Sequence, residues 1–217
     1  MPSYTIAQTA SIDVDAQYCF TEICPDELPI PNGSHIAPEL NAQSHYASLR
    51  IGTKDAHPQY PQWLADDKHP ALTPISAKNM NLHWPRHAVP GTTGFELIQG
   101  LPHPSEYDYF VWKGIEPDMH PYGNCFHDLA ETLSTGLIEF LRAKKIRCVI
   151  IGGLATDHCV KTTALQLQKN GFQVICNLSA CRGLQTDTTQ NAIDTMKKAG
   201  IILIKHTNEL VRFIKES

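Results

Sequence analysis

Cys159 lies in the run Gly152-Gly153-Leu154-Ala155-Thr156-Asp157-His158-Cys159-Val160, where an apolar strand ends in two glycines, turns and starts a helix. A thiol in the first turn of a helix meets unsatisfied N–H groups and the positive end of the helix dipole. These lower its pKa and can hold an oxyanion. A lone cysteine is by default a buried structural thiol; this strand–turn–helix junction favours a nucleophile. His158 is adjacent, but neighbours on a helix do not face each other, so it is read as local structure rather than as a base.

Three further groups could work with such a thiol. Asp15 follows the strand-like Ile12-Asp13-Val14, and a carboxylate there can orient or deprotonate a nucleophile. Asp13, two residues back and expected on the same side, is its rival. Lys113 follows the aromatic stretch Phe110-Val111-Trp112. A lone lysine is usually a solvated charge, but an ammonium between a carboxylate and a thiol favours the thiolate. Asp55-Ala56-His57 is a D-x-H in extended chain, where residues i and i+2 point the same way and can reach one ion. Carboxylate with imidazole suits zinc, iron or manganese.

These residues need elements to hold them. Residues 11–14 read as a strand ending at Asp15, 50–53 as one ending at Asp55, and 107–112 as one ending at Lys113. Residues 146–151 read as a buried strand closed by Gly152-Gly153. Helices are expected over 38–49 and over 129–145, where Leu129, Leu133, Leu137, Ile138 and Leu141 share a face. Others run from Thr156 or Asp157 to about Asn170, over 186–199 and over 207–215, with strands over 172–178 and 201–204. The alternation predicts an α/β fold of three layers, a mostly parallel central sheet with helices on both faces. All four candidate positions fall at strand ends, where open α/β sheets bind ligands. Eight of the fifteen prolines lie between His57 and Tyr107. A loop of that length is functional or disordered, and its tryptophans and histidines argue for function.

The segment GLATDHCVKTTA closely resembles the nucleophile motif of the nicotinamidases, within the isochorismatase-like cysteine hydrolases. The resemblance spans most of the chain, from Ile12 to about Cys181. It implies a cis peptide bond at Leu154–Ala155, with the N–H groups of Ala155 and Cys159 as the oxyanion hole. The stretch Asp15-Ala16-Gln17-Tyr18-Cys19-Phe20 is similar to the family pattern D-x-Q-N-D-F, which selects Asp15 over Asp13 and places Phe20 in the pocket. Tyr18 and Cys19 depart from the pattern. Lys113-Gly114 matches the family's catalytic lysine, so the implied triad is Asp15, Lys113 and Cys159. Trp84-Pro85-Arg86-His87-Ala88-Val89-Pro90-Gly91-Thr92 resembles W-P-x-H-C-x-x-G-T, which implies His87 as a metal ligand beside Asp55 and His57, and Trp84 as a wall for the substrate ring. Ala88 stands where the family often has cysteine. Tyr122 is a weaker pocket candidate. The family usually has a further histidine six residues after that of the D-x-H; here the residue is Trp63, and His69 downstream is an open substitute. His83, His120 and His127 read as surface or capping residues.

The resemblance implies hydrolysis of nicotinamide, or a related pyridine carboxamide, to the acid and ammonia through a Cys159 thioester. One zinc, iron or manganese ion would be the cofactor, and NAD salvage the role. Two alternatives are a metal-free amidohydrolase of the same superfamily acting on a carbamoyl or ureido substrate, and a redox-sensing thiol protein. A length of 217 residues suits one domain spanning 1–217. The formal net charge of -4 offers no basic stripe to nucleic acid or an anionic membrane. Apolar runs such as 148–151 are far below the roughly 20 residues of a membrane span. The first residues do not read as a signal peptide. Seven cysteines without a CxxC pair fit reduced thiols in the cytoplasm. Homo-oligomerisation is left open by the sequence.

Overall fold

The computed structural model describes residues 3–216. A six-stranded sheet forms its centre, in the order β4 (Tyr109–Lys113), β3 (Leu49–Asp55), β2 (Thr9–Val14), β5 (Cys148–Leu154), β6 (Gln173–Arg182), β7 (Ile202–Ile204), and every pairing is parallel. Every residue of β2 and of β5 is buried, as strands covered on both faces require. One face packs Ile12, Val14, Val149 and Ile151 against Leu137 and Leu141 of α2 (Leu137–Ala143) and against Ala164 and Leu167 of α3 (Lys161–Lys169). Met196 of α4 (Thr186–Lys198) joins that cluster. On the other face Cys148, Ile150 and Ile175 meet Leu210 and Phe213, and α1 (Ala37–Ser44) covers the sheet further along through Leu40. The result is the three-layer α/β arrangement expected from the alternation of elements. The terminal strands β1 (Tyr4–Thr5) and β8 (Ile214–Lys215) pair as a separate ribbon.

Strand order reverses between β2 and β5, so their carboxyl ends open a crevice at the switch point. Register brings the site residues level: Asp55 pairs with Lys113, and Val14 with Gly153. Gly153 has φ +138°, and a Cβ there would sit 2.0 Å from the Val14 carbonyl oxygen, so only glycine lets β5 turn towards Cys159 beside β2.

Several boundaries differ from the sequence reading. The helix expected over 38–49 ends at Ser44, and Leu49 already begins β3. The helix expected over 129–145 is confined to α2, because Asp128 captures the N–H groups of Thr132 and Leu133 at 2.9 Å and holds a loop there. The strand expected over 172–178 runs on to Arg182 through an irregularity in register between Ile151 and Gly153. The expected helix 207–215 is a short 3-10 stretch, Thr207–Arg212, followed by β8. Between β3 and β4 the proline-rich segment folds as ordered loop around the buried Trp63, Met80 and Trp84. Among the described residues no helix is long and apolar enough to cross a membrane.

Candidate active site

Four strand ends converge in the crevice. β3 ends in Asp55 and β4 in Lys113; Asp15 directly follows β2, and Cys159 lies in the turn after β5. Asp15 has φ +43°, so the extended chain stops at Val14. The two aspartates, expected on one side of the strand, consequently reach separate partners. Asp13 pairs with Arg50 at 2.7 Å and accepts from the Tyr107 hydroxyl at 3.0 Å. Asp15 Oδ1 accepts from Thr53 Oγ1 at 2.6 Å, and Asp15 Oδ2 lies 3.2 Å from the Lys113 ammonium. That ammonium is fully buried, donates to Asp55 Oδ1 and stands 3.6 Å from Cys159 Sγ. Gln17 fixes Asp55 by accepting its N–H at 2.8 Å and donating to its carbonyl at 2.9 Å. Polar atoms of Asp15, Asp55 and Cys159 lie within 4.8 Å of one another.

Burying an ammonium is costly unless counter-charge surrounds it. Burial alone would lower the Lys113 pKa, but Asp15, Asp55 and Cys159 outweigh it and hold the group charged, well above the usual lysine range. Burial raises Asp15; Lys113 opposes this and Asp55 adds to it. Asp55 is the reverse: burial would raise it, yet Lys113 and then His57 hold it well below the ordinary carboxylate range. Burial pushes the Cys159 thiol well up; Lys113 works against this, and Asp55 and Asp15 reinforce it. Lys113 thus acts in the direction expected from sequence but does not prevail, and the resting group is a thiol facing a carboxylate of raised basicity.

Beside this cluster, His57, His87 and His120 offer ring nitrogens within 4.8 Å of one another. His57 Nδ1 lies 3.0 Å from the Gly114 carbonyl oxygen and His87 Nδ1 2.7 Å from that of Pro85. Such carbonyls fix the tautomer of a ligating imidazole and leave Nε2 for the metal. His57 Nε2 is buried without a hydrogen-bond partner. Burial, with His57 adding, lowers His87 to about 3 and holds His120 well below the usual range, so both are neutral, as a metal ligand must be. Asp55 stands at the boundary, its Oδ1 3.5 Å from His57 Nε2 while also accepting from Lys113. Neutral imidazoles beside two carboxylates and a single ammonium suit a divalent transition metal. Of the three ligands read from sequence, His57 and His87 share one group and Asp55 adjoins it.

Gly114 has φ +79°, and a Cβ on it would lie 2.5 Å from His57 Cε1. Gly114→Ala is expected to destabilise the protein by at least about 1–2 kcal/mol from the left-handed backbone alone, with His57 displaced as well. Urea unfolding measures the first effect, and zinc content the second.

A cleft opens over Cys159, lined by Phe20, Leu28, Ile30 and Leu184 and by Trp84, Tyr122 and His158. His87, His120, Asp55 and Ala155 also line it. Trp84 Nε1 donates to the Tyr122 hydroxyl at 3.3 Å, which donates to Asn81 Oδ1 at 2.6 Å. Phe20, Trp84 and Tyr122, the three aromatic residues assigned to the pocket, therefore stand in one cleft. The Leu154–Ala155 peptide is cis. Within the turn the N–H groups of His158 and Val160 both go to the Ala155 carbonyl. His158 is edge-on to Trp84 at 5.1 Å, a wall residue.

His120, read from sequence as surface or capping, is only 4% exposed and belongs to the imidazole group. An irregular loop carries no periodicity from which burial could be read. The available signal was its place between Pro117 and Pro121, just after Lys113-Gly114. His69 is exposed, pairs with Asp66 at 3.0 Å and stacks on His83, outside the imidazole group. Thr53, which donates to the Asp15 carboxylate, and Gln17, which clamps the Asp55 backbone, were given no role from sequence: Gln17 stood in the D-x-Q pattern only as a register mark, and a threonine in a strand has no distinctive spacing.

Residues 53–208 match the isochorismatase domain. A nicotinamidase of Acinetobacter baylyi is 30% identical over 206 residues, covering 93% of this chain and 94% of that protein. An Acinetobacter baumanii nicotinamidase/pyrazinamidase structure superposes with TM-score 0.82 at 27% identity, covering 94% of this chain and 98% of that one. A Pyrococcus horikoshii pyrazinamidase solved in complex with zinc gives TM-score 0.72 at 29% identity, covering 91% and 98%. Fold, site and relatives together define a hydrolase that acts on amides. Within that class the chain belongs to the isochorismatase domain family.

Proposed function

We propose that this protein is a metal-dependent nicotinamidase, a single domain that hydrolyses nicotinamide to nicotinate and ammonia in the cytoplasm, in NAD salvage. The observation that carries the reading is the buried Asp15–Lys113–Cys159 cluster at the base of an aromatic cleft, next to neutral imidazoles. The seven free thiols suit a reducing compartment. The relatives' names support the substrate, and the zinc complex of one of them supports the metal.

Phe20 and Trp84 would flank the pyridine ring and exclude water from the carboxamide. A zinc, iron or manganese ion held by Asp55, His57 and His87 would bind the ring nitrogen and fix the ring's orientation. Asp15 takes the thiol proton as Cys159 Sγ attacks the carboxamide carbon. The Ala155 and Cys159 N–H groups receive the oxyanion. The C–N bond breaks as Asp15 passes its proton to nitrogen, and ammonia leaves a thioester. Asp15 then deprotonates a water that attacks the thioester carbon, the proton returns to Sγ as the thiolate leaves, and the acid departs, losing its own proton to solvent to give nicotinate. Lys113 stays protonated throughout and holds both carboxylates in place.

Ammonia release from nicotinamide tests this directly. Activity is expected to fall on dialysis against chelator and to return with zinc, iron or manganese. Benzamide, which lacks the ring nitrogen, should be a poor substrate. Full activity in the chelated protein would remove the metal from the reading, and no ammonia from nicotinamide in the loaded protein would end it.

A further inference from the structure

We propose that His120 is a ligand of the metal centre and that Trp63 positions it, so that three imidazoles, His57, His87 and His120, meet the ion beside Asp55. The inference rests on the metal-dependent reading above and adds a ligand that the sequence motifs did not supply.

His120 is buried, and neither of its ring nitrogens has a hydrogen-bond partner. An imidazole always carries at least one N–H donor, and a buried polar group left unpaired costs about 1–3 kcal/mol. Nothing in the surrounding protein answers that demand, because the neighbours are ring faces and edges. Trp63 stands edge-on at 4.6 Å, Trp84 is parallel at 5.6 Å, and His57 is stacked at 5.0 Å. One His120 nitrogen nevertheless lies within 4.8 Å of nitrogens of both His57 and His87. An ion bonding each at about 2.1 Å can bridge that span after small ring movements. His57 Nε2 is likewise unpartnered, so two of the three clustered rings carry an orphaned buried nitrogen.

Trp63 accounts for how His120 gets there. It is fully buried, and its indole N–H donates to the Met119 carbonyl at 3.0 Å, one residue before His120. The His120 N–H is tied to the Asn79 carbonyl at 2.8 Å. The Met119–His120 peptide is thereby pinned through both its carbonyl and its N–H, and the Trp63 ring lies edge-on to His57 at 4.7 Å as well. Trp63 offers no ligand atom of its own; it holds the backbone that brings one.

Zinc affinity, measured by competition with a chromophoric chelator, tests the assignment. His120→Gln, of similar size, is expected to weaken zinc binding by more than about 100-fold, beyond the 10–100-fold of an outer-shell change, and His87→Ala should do the same. Trp63→Phe keeps a ring but loses the indole donor, and should weaken zinc by about tenfold. His69→Ala should not change it. X-ray absorption of the zinc-loaded wild type gives a count independent of any variant's folding, and three imidazoles are expected. Wild-type affinity in His120→Gln, or two imidazoles in the wild type, would overturn the proposal. If His87→Ala alone loses zinc, His120 is only a wall of the cleft and the metal-dependent reading stands. If the wild type binds no zinc, iron or manganese, both fail.

Discussion

Cys159→Ala is expected to lower ammonia release from nicotinamide by on the order of 10⁶-fold, the scale on which hydrolases lose turnover with their nucleophile. The side chain is small and nearly buried, and its loss removes only Sγ from the end of the cleft. The fold should survive, because β5 and the Gly153 turn that place the residue do not depend on the thiol. Lys113 keeps Asp15 and Asp55 as counter-charges in the variant. Zinc content and urea midpoint should therefore stay near wild type while turnover disappears. With wild-type protein, pyridine-3-carbaldehyde should form a reversible thiohemiacetal that the alanine variant cannot. Residual ammonia release within tenfold of wild type would exclude a thioester at Cys159.

The second large effect separates two aspartates that lie two residues apart. Asp15→Asn removes the group proposed to move the proton from thiol to leaving nitrogen, a contribution of about 10²- to 10⁴-fold. It also strips Lys113 of one of its two carboxylates. The loss should appear in kcat with zinc content retained. Asp13→Asn should change turnover by less than about tenfold. Its carboxyl is committed to Arg50 and Tyr107, and burial, opposed by Arg50, raises its pKa to about 6. An amide there leaves the groups around Lys113 untouched. The opposite ranking in steady-state kinetics would show that the register of the motif around Asp15 is displaced by two residues.

The strands leading to Lys113 and Cys159 were legible as short aromatic or apolar runs closed by a charge or by glycine, and those leading to Asp15 and Asp55 as short extended stretches ending in a carboxylate. Their placement at carboxyl ends followed from the α/β alternation. The helix over 129–145 was misread because its apolar spacing continues into a loop that Asp128 holds with side-chain hydrogen bonds. Spacing cannot distinguish a leucine on a helix from one in such a loop.

What the sequence determined by itself is the set of candidate groups, since cysteine, carboxylates and lysine each sit at a local signal: a strand end, a glycine pair, a first helical turn. What only the tertiary structure decided is which groups share an environment. Asp13 and Asp15 look equivalent along the chain, and the positive φ at Asp15 sends them to different partners. His120 looks like any loop histidine until Trp63, 57 residues earlier, holds the Met119 carbonyl before it and the His120 ring stacks on His57. The thiol's protonation is also collective, because burial and two carboxylates from β2 and β3 outweigh the lysine from β4. Local pattern encodes what a residue can do. Desolvation and long-range contact, which no spacing records, decide whether it is placed to do it.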